Sequence, residues 1–283
     1  VVAGREGCLQ PTRLGAARWP MFWVLAAVFC VTTLGPILAT VTTSLTRTFG
    51  LPFGPGNITL RNFTRLWDIQ NIRRAFGNSF FLAAASGLIV TVVALAVAYV
   101  ALKGGLRRFH GVKLMQAMVT VPYSVPGTVI ALAMILAFSQ PLPGSGIKLY
   151  GTIWILLVAY VARFMNLGYN NITGAISQID NTLEEASRSA GANHLQTFGN
   201  IMLPLLRPSL YGSFFLVAAP TLSEITLSSL LWSVGSETVG TVVFSAQEEG
   251  KILLTAALAV ILIAVSLLVN FLVRRLSGDD IGI

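Results

Sequence analysis

Charge is scarce in this sequence. Its 19 basic and 11 acidic residues make up only 11% of 283, where a soluble domain carries about 25%. So few charges cannot clothe a water-exposed surface, which excludes a water-soluble globular domain. Cysteine is rarer still: Cys8 and Cys30 stand alone, outside any C-x-x-C or Cys/His cluster, which excludes a disulfide framework or a zinc site as the organising feature. His110 and His194 are far apart and lack Asp or Cys at ligand spacing, so both read as solvated loop side chains and no metal site is expected. A GxxxxGK(S/T) phosphate loop is missing too, because Gly250-Lys251 has no earlier glycine and is followed by Ile252. Any nucleotide hydrolysis must therefore come from another chain.

What is present is apolar sequence, 54% of the chain. A helix crossing a hydrocarbon core of ~30 Å needs about 20 mostly apolar residues. Six segments qualify: Trp19–Thr43, Phe80–Leu102, Leu114–Phe138, Tyr150–Leu167, Leu210–Leu231 and Ile252–Val273. The expected fold is all-α and polytopic, a six-helix domain over 19–276 between tails at 1–18 and 277–283. The net charge of +8 sits in short clusters between apolar runs, which encodes membrane orientation rather than nucleic-acid binding. The loop from Lys103 to Lys113 is short and carries four basic residues, whereas the loops near Lys148 and Lys251 carry one each. Both termini are therefore placed in the cytosol, with Arg163, Arg188 and Arg207 on the same side. The first outer loop is the exception, holding Arg47, Arg61, Arg65, Arg73 and Arg74. Its Asn62–Ile69 stretch reads as an interfacial amphipathic helix that anchors the loop.

The loop of about forty residues between the fourth and fifth segments, 168–208, is too long for a mere connection. Asn181 or Thr182 can cap a helix with Glu184 and Glu185 in its first turn, where negative charge suits the dipole. That helix should stop near Gly191, since glycine permits the left-handed backbone that turns the chain. A second short helix, Leu195–Met202, would follow, with Pro204 and Pro208 limiting its continuation into the fifth segment. Ala186, Ser187 and Ala190 give this helical elbow a low-relief surface, and Glu185 can offer a charge-assisted bond to a basic partner group. The residues alone fit either a docking element for a soluble partner or an interfacial hairpin with none.

Glu185-Ala186-Ser187, then Gly191, then Ile201-x-Leu203-Pro204 resembles the EAA motif of the permease subunits of binding-protein-dependent ABC importers, with Ser where Ala is usual. Further similarity lies in Val121-Pro-Tyr-Ser-Val-Pro126-Gly127, in Leu222-Ser-Glu-Ile-Thr-Leu-Ser-Ser and in Gly235-Ser-Glu-Thr-Val-Gly-Thr-Val. These look most like permeases for ferric iron, followed by thiamine, aminoalkylphosphonate and polyamine permeases. The resemblance implies a type I importer permease in the bacterial inner membrane whose elbow is the coupling helix. Glu185 would meet a cytosolic ATPase, Gly191 would make the turn, and Leu203 and Pro204 would pass motion to the fifth helix. It also implies two ATPase subunits, which bind the ATP and Mg, a second permease domain and a solute-binding protein outside. The chain itself would bind no cofactor and catalyse nothing. Its Val start and charged tail would fit the second half of a fused double-length permease or a separate subunit. An ATP-independent secondary transporter is the rival class, which would need functional ionisable groups in its spans. Glu224 alone offers one; beside Pro220 and Ser223 it could line the pathway or hydrogen-bond a neighbouring helix. Pro122 and Pro126 could form a fixed kink or a kink that also lines the route. Glu248 and Glu249, on the expected outer face, could pair with a binding protein or be solvated.

Overall fold

The computed structural model describes residues 15–103, 110–141, 144 and 146–277. Cys8, both tail ends and the Arg107-Arg108 pair lie outside the described residues. Eleven helices are described: α1 (Arg18–Ser44), α2 (Arg61–Asp68), α3 (Gln70–Lys103), α4 (His110–Ser124), α5 (Gly127–Phe138), α6 (Ile153–Gln178), α7 (Asn181–Ser189), α8 (His194–Leu222), α9 (Thr226–Leu231), α10 (Val239–Glu248) and α11 (Ile252–Ser277). No strand occurs among the described residues. Helices α1, α3, α6, α8 and α11 are each long and apolar enough to cross a bilayer, and α4 with α5 forms a sixth, bent segment.

The core is a three-helix contact of α3, α6 and α8. Without a hydrophobic drive between helices in lipid, close approach through small residues and interhelical hydrogen bonds must hold them. Both are present. Gly168 of α6 lies so close to α3 and α8 that a Cβ there would stand 2.7 Å from Val90 Cγ1 and 2.8 Å from Ser213 Oγ. Thr91 Oγ1 donates to Ser213 Oγ at 3.2 Å, and the Ser86 and Thr221 hydroxyls pair at 3.3 Å. Around this core α11 packs on α1, α2, α8 and α10, while α5 packs on α6 and α9. The interfacial helix α2 is folded against α3 and α11, with Leu66 fully buried and buried Asn62 donating to the carbonyls of Ser44 and Thr46.

Three expectations change. The Leu114–Phe138 segment is not a kinked rod, because α4 and α5 meet at 117°. Pro126 has no N–H and pushes the residue before it out of helical geometry; at 15 and 12 residues each helix reaches only ~18–23 Å, short of the hydrocarbon core. The fifth segment ends at Leu222 rather than Leu231, and Ser223–Ile225 separate α8 from α9. Finally, Pro204 and Pro208 do not stop the second elbow helix, which runs unbroken into α8. The turn Phe198–Met202 widens to a π-helix in which Leu203 N–H reaches back to the Phe198 carbonyl. That wider turn relieves the clash a proline ring makes with the carbonyl four residues earlier. The same device precedes Pro36, where Cys30–Leu34 is the π turn.

Candidate functional site

The elbow is built from local sequence. Asp180, rather than Asn181 or Thr182, caps α7: its carboxylate accepts the Thr182 N–H at 2.9 Å. That bond holds the Asp180 carboxyl below its ordinary range, with Lys103 contributing in the same direction. At the other end Gly191 takes φ +86°, its N–H donating to the Arg188 carbonyl (2.9 Å) while Ala192 N–H reaches Ser187 (3.1 Å). This is the paired closure of a Schellman motif, and it requires a left-handed residue at that point. Asn193 and Gln196 then form a reciprocal capping box that starts α8. The two arms are pinned by the Ser187 and Thr197 hydroxyls, 2.9 Å apart, and by Arg188 Nη2 at 3.2 Å from His194 Nδ1. His194 is thus engaged within the elbow. The serine in place of the usual alanine supplies an internal clasp.

The two neighbouring glutamates diverge. Glu184 faces inward, its Oε1 2.9 Å from Lys103 Nζ at the end of α3, both side chains about nine-tenths buried. Glu185 faces out, is exposed, and has no ion-pair partner among the described residues. Ala186 is exposed beside it, Ser187, Ile201 and Leu203 are half-buried, and Pro204 is exposed. Leu183 and Leu195, unremarked in the sequence, stand out at 44% and 83% exposure. Because α3, α6 and α8 all have one end here, the elbow presents a charged and apolar face beyond the bundle while holding its core helices.

A second group gathers where helices break. Glu224 lies in the α8–α9 break, half-buried, its Oε1 accepting the Leu227 N–H at 3.0 Å and so capping α9. Ser223 is exposed beside it. The Glu224 carbonyl accepts the Ser228 hydroxyl at 2.6 Å, and that hydroxyl meets buried Tyr160 of α6. Gly240 presses on the same break: a Cβ there would stand 2.3 Å from the Glu224 oxygen. At the α4–α5 break Arg163 donates to the Val125 carbonyl, and its guanidinium carbon would lie 3.7 Å from a Cβ on Gly127, which itself abuts Thr226. Arg163, counted above with the cytosolic charges, is half-buried inside α6. The Val125 carbonyl, left without a helical partner where the chain breaks at Pro126, needs a donor in a membrane segment, and a cation suits the negative end of α4. Pro122 lies inside α4 and Pro126 at the break, so the two breaks bring Pro126, Glu224 and Arg163 into one region.

At the end of α3 opposite the elbow lies a cleft of about 590 Å³ lined by Asn71, Arg74, Trp232, Glu237 and Lys251 among others. Buried Glu237 accepts the Gly235 N–H at 3.1 Å and faces Arg74 at 3.6 Å. Glu249 pairs with Lys251, and Glu248 is exposed.

The sequence from 106 to 278, more than half of the chain, matches the family described as binding-protein-dependent transport system inner membrane component. The chain belongs to this family. It is a multi-pass inner-membrane protein related to ABC transporter permeases. A Salmonella typhimurium relative described as a putative 2-aminoethylphosphonate transport system permease protein is 26% identical over 173 residues, 60% of this chain and 64% of its own length. A ferric transport system permease protein of Actinobacillus pleuropneumoniae is 27% identical over 204 residues, 71% of this chain and 28% of its own length. The chain thus spans under two thirds of the first relative and just over a quarter of the second. A bacterial alginate ABC transporter, crystallised with a periplasmic protein bound to an alginate pentasaccharide, shares the fold, with a TM-score of 0.69 at 17% identity over 93% of this chain and 95% of that one.

Proposed function

We propose that the chain is the transmembrane permease subunit of an ATP-driven importer, forms half of the solute pathway and makes or breaks no covalent bond itself. The elbow docks on a cytosolic ATPase subunit, so it and both termini face the cytosol. A second permease domain, two ATPase subunits carrying ATP and Mg, and an extracytoplasmic solute-binding protein complete the assembly. The observation that carries this reading is the division of labour at Glu184 and Glu185. One carboxylate is spent inside the bundle on Lys103, and its neighbour stands exposed, with no counter-ion among the described residues, on a rigidly capped helix. An exposed carboxylate flanked by Leu183, Ala186 and Leu195 suits a partner that offers a basic group above an apolar cleft. Ile201, Leu203 and Pro204 lie where the elbow passes into α8 and hand its displacement to that helix. Nucleotide state drives transport only if the ATPase binds the two membrane conformations unequally.

Pro126, Ser223 and Glu224, at the two breaks where backbone polar groups are available in the membrane, mark the pathway together with Pro122, one turn earlier in α4. The substrate we assign is ferric iron, supported by the motif resemblance and by the longer alignment with the ferric relative; aminoethylphosphonate is the competing cargo. Reconstituted with its ATPase and binding protein, the transporter should take up radiolabelled ferric iron in an ATP-dependent way. Glu185→Arg and Gly191→Pro should insert normally yet hydrolyse ATP without uptake. Full uptake by both variants would refute the assignment of the elbow, and uptake of aminoethylphosphonate instead of iron would move the substrate.

A further inference from the structure

Helix α3 carries a polar clasp at each end. At its C-terminal end Lys103 Nζ pairs with Glu184 and also donates to Asn181 Oδ1, so two residues of α7 are tied to it. One turn earlier Tyr99 packs edge-on against Phe198 in the π turn of α8, ring centres 4.9 Å apart. At the N-terminal end Asn78 Nδ2 donates to the carbonyls of Gly235 (3.1 Å) and Glu237 (2.8 Å), Ser79 Oγ accepts the Val239 N–H (2.9 Å), and Arg74 faces Glu237. The Lys103–Glu184 pair is about nine-tenths buried, and separating a buried ion pair leaves an uncompensated charge; at the other end Ser79 and Glu237 are buried while Arg74 is partly exposed. The segments they join therefore shift together more readily than apart.

Over its 34 residues, Gln70–Lys103, α3 has no proline and no π turn. Of the helices packed on it, α4 and α8 each contain one or the other, and α6, like α3, contains neither. From Arg74 to Lys103 it covers about 44 Å, the whole depth of a bilayer. We infer that α3 is a connecting rod that carries displacement of the elbow to the 232–238 loop on the opposite face, with Lys103 and Asn78 as its positioning residues. The inference rests on the docking proposed above, because without a partner at the elbow nothing displaces it. It adds a second route to the one through Leu203 and Pro204, one that reaches the far face rather than the adjacent helix.

The test uses the full complex with its ATPase subunits in lipid nanodiscs, with Cys8 and Cys30 replaced by Ser and a reporter Val234→Cys, a position 90% exposed in the far loop. The rate of maleimide labelling is measured without nucleotide and with ATP plus vanadate. The parent should show two different rates. Lys103→Met should lose that difference while the ATPase subunits still co-purify, and the swap Lys103→Glu/Glu184→Lys should restore it. Asn78→Leu, which leaves the elbow untouched, should lose it from the other end. A nucleotide response that survives in both Lys103→Met and Asn78→Leu overturns the rod, as does a parent that binds its ATPase yet shows one rate. Loss of the ATPase from Lys103→Met would make Lys103 part of the docking surface and overturn its role as a link. If the parent itself retains no ATPase, the proposed function fails instead, and the two failures are told apart by co-purification.

Discussion

Gly191→Ala isolates the geometry of the elbow from everything else around it. A Cβ added at Gly191 meets no atom within 4 Å, so the substitution has no steric cost against neighbours. What remains is the backbone: at φ +86° an L-residue is penalised by roughly 1–2 kcal/mol relative to glycine. That corresponds to a fall of roughly 5–30-fold in the population of the closed elbow relative to frayed states. The closing bonds are the Gly191 and Ala192 amides to Arg188 and Ser187, so hydrogen exchange in peptides spanning the elbow should accelerate by a similar factor. Affinity for a partner that recognises only the closed elbow should weaken only as far as the closed fraction itself falls. Gly191→Asn, whose side chain tolerates the left-handed region, should lose less. Unchanged exchange in the alanine variant, or a larger loss in the asparagine variant than in alanine, would refute the claim that a left-handed turn sets the elbow.

Gly168→Leu should lower thermal stability of the purified protein by at least the 1–3 kcal/mol typical of overpacking, about that much or more, because its Cβ alone collides with Val90 and Ser213. Gly174→Ala on the same helix, with nothing within 4 Å of the new methyl, should be neutral or stabilising by thermal unfolding. Arg163→Met should cost about 1–3 kcal/mol by stranding the Val125 carbonyl, seen as faster proteolysis at the α4–α5 break; parent-like resistance would contradict the assigned role. The Asp180 cap has a pH signature. Its carboxyl is depressed in the folded chain by the Thr182 N–H, so its contribution is fully present above 3.8 and lost as pH falls below that value. Hydrogen exchange of α7 should show this acid loss in the parent and not in Asp180→Asn.

How much of this was legible in sequence depended on whether the signal was local. Apolar length located the membrane segments, and glycine chemistry located the turn at Gly191, because both are properties of a few adjacent residues. The EAA-like residues identified the family. Proline was read less well, since its effect is settled by the surroundings. Pro126 breaks its helix outright with Arg163 available to take up the freed carbonyl, whereas Pro204 passes inside a helix that a π turn has widened. Arg163 was counted with the cytosolic charges, because charge counting takes basic residues to lie at helix ends, and its place within the bundle was not legible. The Lys103–Glu184, Asn78–Gly235 and Arg74–Glu237 contacts join residues 81 to 163 positions apart, beyond any periodicity argument. The motif singles out Glu185 but does not say where Glu184 points, and only the packing of α7 against the end of α3 shows that one is buried and the other exposed.

The central claim is that the exposed face of the elbow meets a cytosolic ATPase. A photo-activatable amino acid placed at Glu185, in cells that express the whole transport system, tests it in one step. The expected product is a covalent adduct between this chain and the nucleotide-binding subunit, abolished when that subunit is deleted. An adduct only with lipid or with this chain's own helices, or one only with a protein on the outer side of the membrane, would contradict it.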